Sequence, residues 1–521
     1  MNGGISILND VIGPIMRGPS SSHTAGSYHI GRLAAALLGT TPERVHVAFD
    51  PAGSYGQVFR EQGVDLGFAM GLLGLPLTDS VFFQALQEAA AQGIELVFEV
   101  RPLVNPDHPN AVDIRLQAIS GETLSLRARS IGGGAVEVTR IDRWPVLVTG
   151  SAHELIIEME ESVEARVRAL IEADGKLLCE PVRVARDGRV LIHARCREAP
   201  GPEIPAAIAA TGGLFSLRRC PPIAYVKQGD PLFNSGAGMV SLAESRGCSL
   251  GRLAVAHEAA LLGISAQDVL DEMARRVEFM RSAVSSGLGE HPPSMQLLTP
   301  TAGRIFRAEA EGKTAVGGLH TRAAARALAV MHVNSGMGVV CAAPTGGSAG
   351  VLPGVLSTLI DECGIDPQSA TLAAMAAGAV GVIVGSRATF AAEVAGCQVE
   401  IGAAGAMAAA AVVDAAGGTA RQAADAAAIS FQNTMGSVCD LVQGMVEIPC
   451  HTRNAVAASA AFVCADLIMG GYENPIPLDE TIDAVLAVGK MLPSELRVTS
   501  RGGLAVTPSA QKLRRRDREK V

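Results

Sequence analysis

The sequence predicts a multidomain protein with an α/β (α+β) N-terminal domain, a ferredoxin-like middle domain and an all-α C-terminal domain. Three observations lead to this prediction. Strand-like and helix-like segments alternate as far as Trp144, and a βαββαβ series follows it. After Pro231 nearly every apolar segment has helical periodicity. At 521 residues the chain is too long for a single hydrophobic core.

In the N-terminal region, residues 45–49 and 95–100 are typical of strands, and residues 82–91 have helical character. Ser130–Gly134 contains three consecutive glycines, which predicts a turn with positive φ or a close approach to a ligand. A plain connection between strands is the alternative.

The middle region has the element order of the split βαββαβ unit. The predicted elements are a strand at 155–159, a helix at 163–173, strands at 177–184 and 190–196, a helix at 203–210 and a strand at 214–219. Such modules bind regulatory amino acids or serve in packing and dimerisation, and the sequence favours neither role.

The C-terminal region is predicted to be helical throughout. The clearest helices span residues 239–246, 250–262, 266–284, 321–333, 370–384 and 422–430. Aromatic residues make up only 3% of the chain, so the core must be built from Ala, Val, Leu and Gly. The uncharged segment 370–386 approaches the length of a membrane span, but its Ala and Gly content favours a buried helix.

Charge and cysteine usage exclude several classes of protein. The net charge of −9 disfavours binding to nucleic acid. Ten cysteines show no disulfide-like spacing, and Met1–Gly4 does not open a signal peptide, so we expect a cytoplasmic protein without a membrane segment. The basic run within residues 511–521 is mixed with acidic side chains and is predicted to be a solvated, charged tail.

Gly18–Gly26 is the most informative stretch. A Gly-Pro turn is followed by hydroxyl side chains and one histidine, ahead of an apolar helical run. Short hydroxyls and free N–H groups at a helix start can bind a small anion such as a carboxylate. A well-capped surface helix is the alternative. The candidate binding residues are Ser20, Ser21, Ser22 and Thr24, with His23 as a donor that we expect to titrate near neutral pH.

Three polar, glycine-rich turns interrupt the predicted helical domain. They span residues 334–350, 396–402 and 439–454. The second turn puts Cys397 and Glu400 at the head of an Ala-rich helix, whose dipole would lower the pKa of a thiol. No pair of cysteines has C-x-x-C spacing, so a zinc site is not predicted.

Taken together, these motifs resemble the iron–sulfur L-serine dehydratase (L-serine ammonia-lyase) family. The similarity covers most of the chain, and its most specific parts are Gly18–Gly26 and Ser500–Ala505. It implies a β-like domain at residues 1–145, an ACT-like domain at 146–228, and an all-α catalytic domain at 229–510. The implied activity is dehydration and deamination of L-serine or a similar hydroxy amino acid.

The resemblance also implies site residues. His23, Cys397 and Glu400 are the expected catalytic residues. The expected substrate-binding residues are Ser20, Ser21, Ser22, Thr24, Asp65, Asn334, Thr345, Gly346, Arg453 and Asn454. The family uses a [4Fe–4S] cluster in which one iron is open to substrate. We expect no PLP or NAD cofactor and no nucleic acid or membrane partner. We expect the protein to form a homodimer.

The chain departs from the family pattern at several positions. Cys397 is at one expected cluster position, whereas the other two are aligned with Ala349 and Gly405, which cannot ligate iron. Gln62 is aligned with a histidine thought to act as the base. Cys341 and Cys450 could substitute only if the fold brings them to the same point as Cys397, so we expect no intact cluster. Two alternatives to the serine lyase follow: a cluster-free enzyme that eliminates or isomerises another small carboxylate by acid–base chemistry, and an amino-acid-binding regulatory protein.

Overall fold

A computed structural model describes residues 4–516, which form two compact units. The helical unit contains the described residues up to Ser22 together with those from Gly229 onwards. The sheet unit contains His23–Gln228. The protein is thus a mixture of α and β structure in more than one unit, as the sequence predicts.

The strands are, in chain order, β1 (Ile15–Arg17), β2 (Pro42–Phe49), β3 (Glu95–Val100), β4 (Ala111–Ala118), β5 (Thr123–Gly132), β6 (Ala135–Ile141), β7 (Trp144–Val148), β8 (His153–Glu160), β9 (Val182–Arg186), β10 (Arg189–Cys196), β11 (Leu214–Cys220) and β12 (Val339–Cys341). The α-helices are α1 (Gly26–Leu38), α2 (Ser54–Val58), α3 (Val64–Leu73), α4 (Ala85–Ala91), α5 (Glu164–Ala173), α6 (Glu203–Ala209), α7 (Gly236–Arg246), α8 (Leu250–Leu262), α9 (Ala266–Leu288), α10 (Ala302–Ala310), α11 (Leu319–Ser335), α12 (Val351–Cys363), α13 (Pro367–Arg387), α14 (Ala392–Ala395), α15 (Ile401–Ala415), α16 (Ala420–Thr434), α17 (Cys450–Met469), α18 (Leu478–Met491) and α19 (Pro508–Lys512).

The sheet unit contains two sheets. A six-stranded sheet has the order β3-β2-β4-β5-β6-β7, in which only β2 and β3 are parallel. A four-stranded antiparallel sheet has the order β11-β8-β10-β9, and its elements follow one another as βαββαβ. Residues 177–181, expected to begin a strand, contribute only an isolated bridge between Leu177 and Cys196. The assignment of this module as ACT-like stays a prediction.

The core of the helical unit is made of small side chains that let helices approach closely. Helices α13 and α15 are buried along almost their whole length and consist largely of Ala, Gly and Val. Gly378 and Gly381 of α13 face Ile7 and Val11 of the N-terminal segment, where a Cβ would lie only 2.4 and 2.1 Å from those side chains. The pattern of alternating small residues thus encodes helix packing.

The N-terminal segment packs within the helical unit. The buried Glu258 carboxylate accepts hydrogen bonds from the Ser6 hydroxyl and from the N–H groups of Ile7 and Leu8. Strand β1 then pairs with β12 in an antiparallel register. The compact units therefore differ from the predicted domains, because the described residues up to Ser22 do not group with residues 23–145. The three domain assignments themselves stay predictions.

Among the residues that the structure describes, three helical segments are long and apolar enough to cross a membrane, judged by length and composition. They are Pro367–Arg387, Cys397–Ala415 (α15 together with the turn before it) and Cys450–Met469. The most apolar windows of the first two are 78% and 89% buried inside the protein. Core packing therefore accounts for these two helices, which agrees with the prediction for residues 370–386, whereas the window in Cys450–Met469 is 50% buried.

The C-terminal basic run is exposed but not detached. The Arg515 side chain donates to Oε1 of Gln443 at 3.1 Å, and the Arg516 N–H donates to the Gln296 carbonyl at 2.8 Å. Both residues are exposed, and the solvated, charged tail stays a prediction. Residues 517–521 of the predicted tail lie outside the described part of the chain.

Candidate functional site

The loop that carries the three serines is anchored in the helical unit by backbone contacts. After β1, the Gly18 N–H donates to the Gly338 carbonyl at 3.1 Å. The Asn334 side-chain amide donates to the Pro19 carbonyl at 2.9 Å. Asn334, expected to bind substrate, therefore also holds the serine loop in place.

The second anchor is Gly346, in the turn Gly346–Ser348 that precedes α12. Its N–H donates to Oγ of Ser21 at 3.2 Å, and a Cβ on Gly346 would lie 3.0 Å from the Ser21 nitrogen. Ser21 is only 3% exposed, so its hydroxyl stabilises the loop. Ser20 and Ser22 keep partial exposure, with their hydroxyls 3.2 Å apart. Of the three serines, these two are the partly exposed ones.

The thiol site consists of Cys397, Cys439 and Cys450 with the carboxyl of Glu400. Ligand atoms of Cys397, Glu400 and Cys439 all lie within 4.8 Å of one another. Cys450 is close enough to interact electrostatically with Cys397 and Cys439. Cys397 opens a short 3-10 turn before α15, Cys439 lies in the loop after α16, and Cys450 is the first residue of α17. All three thiols are buried.

The pKa values of these thiols are strongly shifted. A hydrogen bond from Cys439 holds the pKa of Cys397 below its usual range, and the Arg453 guanidinium acts in the same direction. The pKa of Cys439 is raised well above its usual range by that same hydrogen bond and by burial. Burial also raises the pKa of Cys450. Cys397 is therefore the thiol most ready to become a thiolate, the form that ligates metal.

Glu400 lies at the edge of the thiol site and keeps partial exposure. Loss of water raises its pKa well above the usual range, the charges of Cys397 and Glu393 raise it further, and a hydrogen bond with Thr345 opposes them. A Cβ on Gly347 would lie 3.6 Å from the Glu400 carboxylate. The predicted residues Thr345 and Glu400 are thus brought together.

Two predicted binding residues of α17 complete the site. The Arg453 guanidinium lies 3.1 Å from an oxygen of Asp440 and 3.7 Å from Sγ of Cys397. The Asn454 amide donates to the Gly347 carbonyl at 2.9 Å, and its oxygen accepts from the Gly350 N–H at 3.1 Å. Asn454 therefore shapes the glycine turn, whereas Arg453 retains partial exposure.

The expectation of a lone thiol at Cys397 is wrong. A cysteine 42 residues further along the chain, Cys439, lies beside it. Gly405 faces neighbouring helices, since a Cβ there would lie 2.9 Å from Oγ of Ser430 and 3.7 Å from Ala457. Ala349 is fully buried just after the turn Gly346–Ser348 that precedes α12. The alignment with Ala349 and Gly405 therefore singled out packing positions, whereas Cys450, considered from the sequence as a substitute ligand, does lie near Cys397.

The sheet unit holds the remaining predicted residues. Nε2 of His23 lies 2.9 Å from the Ser54 hydroxyl, and burial lowers the pKa of His23 to about 4. The expectation that His23 titrates near neutral pH is therefore wrong. The Thr24 hydroxyl donates to the Gln62 carbonyl at 2.8 Å. Burial raises the pKa of Asp65, at the start of α3, to about 6.

A usable signal for Cys439 and Cys450 was present in the sequence. Cys439 precedes an aspartate and Cys450 follows a proline, both in glycine-rich irregular segments. Functional residues concentrate on such segments. The wide separation of the three cysteines, which matches no known short motif, concealed that they form one group.

Comparison with known proteins finds relatives of this chain. The sequence model of the family described as "Serine dehydratase alpha chain" matches residues 216–505. The probable L-serine dehydratase alpha chain of Bacillus subtilis is 35% identical over 285 residues, which are 55% of this chain and 95% of that protein. The L-serine dehydratase alpha chain of Peptoniphilus asaccharolyticus is 32% identical, covering 54% and 98% of the two chains.

A further relative corresponds to a different subunit. The probable L-serine dehydratase beta chain of Bacillus subtilis is 40% identical over 148 residues, which are 28% of this chain and 66% of that protein. One polypeptide here is thus similar to both an alpha and a beta chain. With a family model that covers more than half of its residues, the chain belongs to the iron–sulfur L-serine dehydratase family.

Proposed function

We propose that this protein is a lyase that converts L-serine into pyruvate and ammonia. The reaction removes the α-proton and the β-hydroxyl as water, and the resulting enamine tautomerises and hydrolyses to the oxo acid and ammonia. The observation that carries the proposal is the grouping of Cys397, Cys439 and Glu400, with Cys450 close enough to interact electrostatically, in a chain of the serine dehydratase family.

The residues at the thiol site fit an iron–sulfur cluster. Clusters of this kind are held by cysteine thiolates, and Cys397, Cys439 and Cys450 are the residues that would hold one here. A [4Fe–4S] cluster with an open iron supplies a Lewis acid for a leaving hydroxyl group when it is bound. The expectation of no intact cluster depended on a single thiol at Cys397, and the two further thiols remove that premise.

For the substrate carboxylate we propose the serine loop. Ser20 and Ser22 present partly exposed hydroxyls, and the loop is fixed by Gly346 and Asn334. Hydrogen bonds to an ionised acceptor are roughly twice as strong as neutral ones. Arg453, which is also partly exposed, supplies positive charge within the same unit. This arrangement favours a small acid over a neutral alcohol.

Glu400 is the proposed acid–base residue of the helical unit. It is the carboxyl group beside the thiols, and Thr345 fixes its orientation. General acid–base groups must lie within hydrogen-bond reach of the proton they move, and the partial exposure of Glu400 permits that. Gln62 cannot exchange a proton in the physiological pH range, so it cannot replace the family histidine as a base.

For the sheet unit we propose three substrate contacts, His23, Thr24 and Asp65. His23 is neutral at pH 7 because burial lowers its pKa to about 4, so it would act as a hydrogen-bond partner and not as a cation. We further propose that the βαββαβ module is an ACT-like domain and that the protein is a cytoplasmic homodimer. Titration calorimetry with amino acids and light scattering test the module and the dimer.

The decisive experiment is analysis of iron and acid-labile sulfide in anaerobically prepared protein, followed by a pyruvate assay with L-serine. We expect a brown protein with iron, sulfide and serine-dependent pyruvate formation. A colourless, iron-free protein that turns over another small hydroxy acid would favour the cluster-free enzyme. Binding of an amino acid without any turnover would favour the regulatory protein.

A further inference from the structure

The segment 496–504, which we call the C-terminal strap, holds the residue Cys439 by its backbone. The Cys439 N–H donates to the Leu496 carbonyl at 2.8 Å, and the Val498 N–H donates to the Cys439 carbonyl at 3.0 Å. The Ser500 hydroxyl donates to the Leu441 carbonyl at 2.7 Å. Both backbone polar groups of Cys439 are thus satisfied by the strap, and the loop that carries this thiol depends on it.

The strap also binds the next residue, Asp440, which is only 2% exposed. The Leu504 N–H donates to one carboxylate oxygen of Asp440 at 2.7 Å, and the other oxygen lies 3.1 Å from the Arg453 guanidinium. Arg453 in turn donates to the Val438 carbonyl at 2.7 Å and lies 3.7 Å from Sγ of Cys397. A continuous set of contacts therefore runs from the strap to two thiols.

Gly503 makes this contact sterically feasible. Its φ of +59° favours glycine, and a Cβ there would lie 2.3 Å from the Asp440 carboxylate oxygen. A side chain at this position would displace either Asp440 or the strap. The glycine thus allows the Leu504 N–H to reach the buried Asp440 carboxylate, which also contacts Arg453.

We propose that the C-terminal strap is a positioning element of the thiol site, and that Asp440 is the positioning residue through which it holds Arg453 against Cys397. This inference deepens the proposed function, since it assigns residues far along the chain to the support of the cluster-holding thiols. Partners that hold metal ligands in place typically contribute about 10- to 100-fold to metal affinity. The strap acts by orientation and touches no substrate.

The test compares Gly503→Ala with Gly247→Ala, a control with a matching φ of +58° but nothing within 4 Å of its added Cβ. Both variants carry the same backbone strain, and only the first displaces Asp440. Two readouts apply: the rate at which a chromogenic disulfide reagent labels thiols in folded, metal-free protein, and the rate of iron loss to a chelator after reconstitution. Circular dichroism checks that each variant is folded.

We expect Gly503→Ala to release iron and to react at its thiols about tenfold faster than the wild type, with Gly247→Ala unchanged. Wild-type rates in folded Gly503→Ala would overturn the proposal. If that variant does not fold, Asp440→Asn decides, because it keeps an acceptor for the Leu504 N–H but loses the charge that holds Arg453. Unchanged rates in Asp440→Asn would likewise overturn it.

The metal-free labelling separates this proposal from the proposed function. Should the wild-type protein bind no iron, the cluster assignment fails, but faster labelling in Gly503→Ala would still support the strap. Suppose instead that the wild type binds iron, and that the thiols of the variants are labelled and their iron is released at wild-type rates. The strap proposal then fails, and the cluster assignment stands.

Discussion

Buried cysteines occupy two kinds of position in this protein. Cys464 and Cys341 lie singly in the helical unit, on α17 and β12, and burial raises their pKa to about 11. Cys397 is as deeply buried as these, yet its pKa is lowered, because Cys439 donates a hydrogen bond to it and Arg453 lies nearby. The pKa of a cysteine thiol is thus shifted in opposite directions at positions that are equally buried.

The difference shows that a hydrogen bond from a neighbouring thiol and a nearby guanidinium, and not burial, lower the pKa of a thiol, since Cys439 and Cys450 in the same group keep raised pKa values. A single thiol in an apolar environment behaves as a small hydrophobic side chain. The three grouped thiols lie where regular structure begins or ends, so the backbone can bring together residues from distant parts of the chain. The isolated thiols lie within strands or helices, where side-chain direction is set by the element.

The largest effect is expected when one of the three grouped thiols is removed. Cys439→Ser should abolish iron binding and serine-dependent pyruvate formation, because the remaining two thiols cannot hold a cluster. Cys464→Ser is the matched control in the same unit, and it should keep both properties. Iron analysis and a pyruvate assay make the measurement. Retained iron and activity in Cys439→Ser would show that the grouping has no function.

The next effect separates acid–base chemistry from thiol chemistry. Glu400→Gln should lower kcat about 100-fold, the lower end of what a positioned acid–base group contributes, with iron content unchanged. Glu393→Gln removes a neighbouring carboxyl that influences Glu400 only by its charge. It should stay close to the wild type. A full-activity Glu400→Gln enzyme would remove Glu400 from the chemistry.

A smaller effect is expected at the serine loop. Gly346→Ala places a methyl group 3.0 Å from the Ser21 nitrogen and should raise KM for L-serine about tenfold, equivalent to about 1.4 kcal/mol of binding. Gly289→Ala is the control, since that glycine is exposed and has a φ of −61°. Steady-state kinetics decide, and a fall in kcat with unchanged KM would argue against a binding role.

The smallest effect concerns the isolated thiols. The pKa of Cys464 rises from 9.0 to about 11 on folding, so its contribution to stability is present below pH 9 and is lost as the pH rises through 11. Cys464→Ala should therefore reduce the fall in Tm between pH 9 and pH 11, measured by circular dichroism. An identical fall in both proteins would contradict the raised pKa. For Cys397 the sign is opposite, since its lowered pKa stabilises the folded protein at high pH.

The sequence by itself determined the local structure well. Helix α8 begins and ends at the predicted residues, and the βαββαβ order follows from alternation, periodicity and turn residues, which act over a few residues. The serine loop and the glycine turns were likewise recognisable as polar interruptions in apolar surroundings. Each of these signals depends on near neighbours along the chain.

Only the tertiary structure decided which distant residues meet. Cys397 and Cys439 are 42 residues apart and join through the packing of α15, α16 and the loop after them. Asn334, predicted to bind substrate, donates a hydrogen bond to the Pro19 carbonyl. The described residues up to Ser22 pack with helices more than 200 residues further along. Such contacts depend on complementary packing between remote segments, for which a single sequence carries no periodic signal.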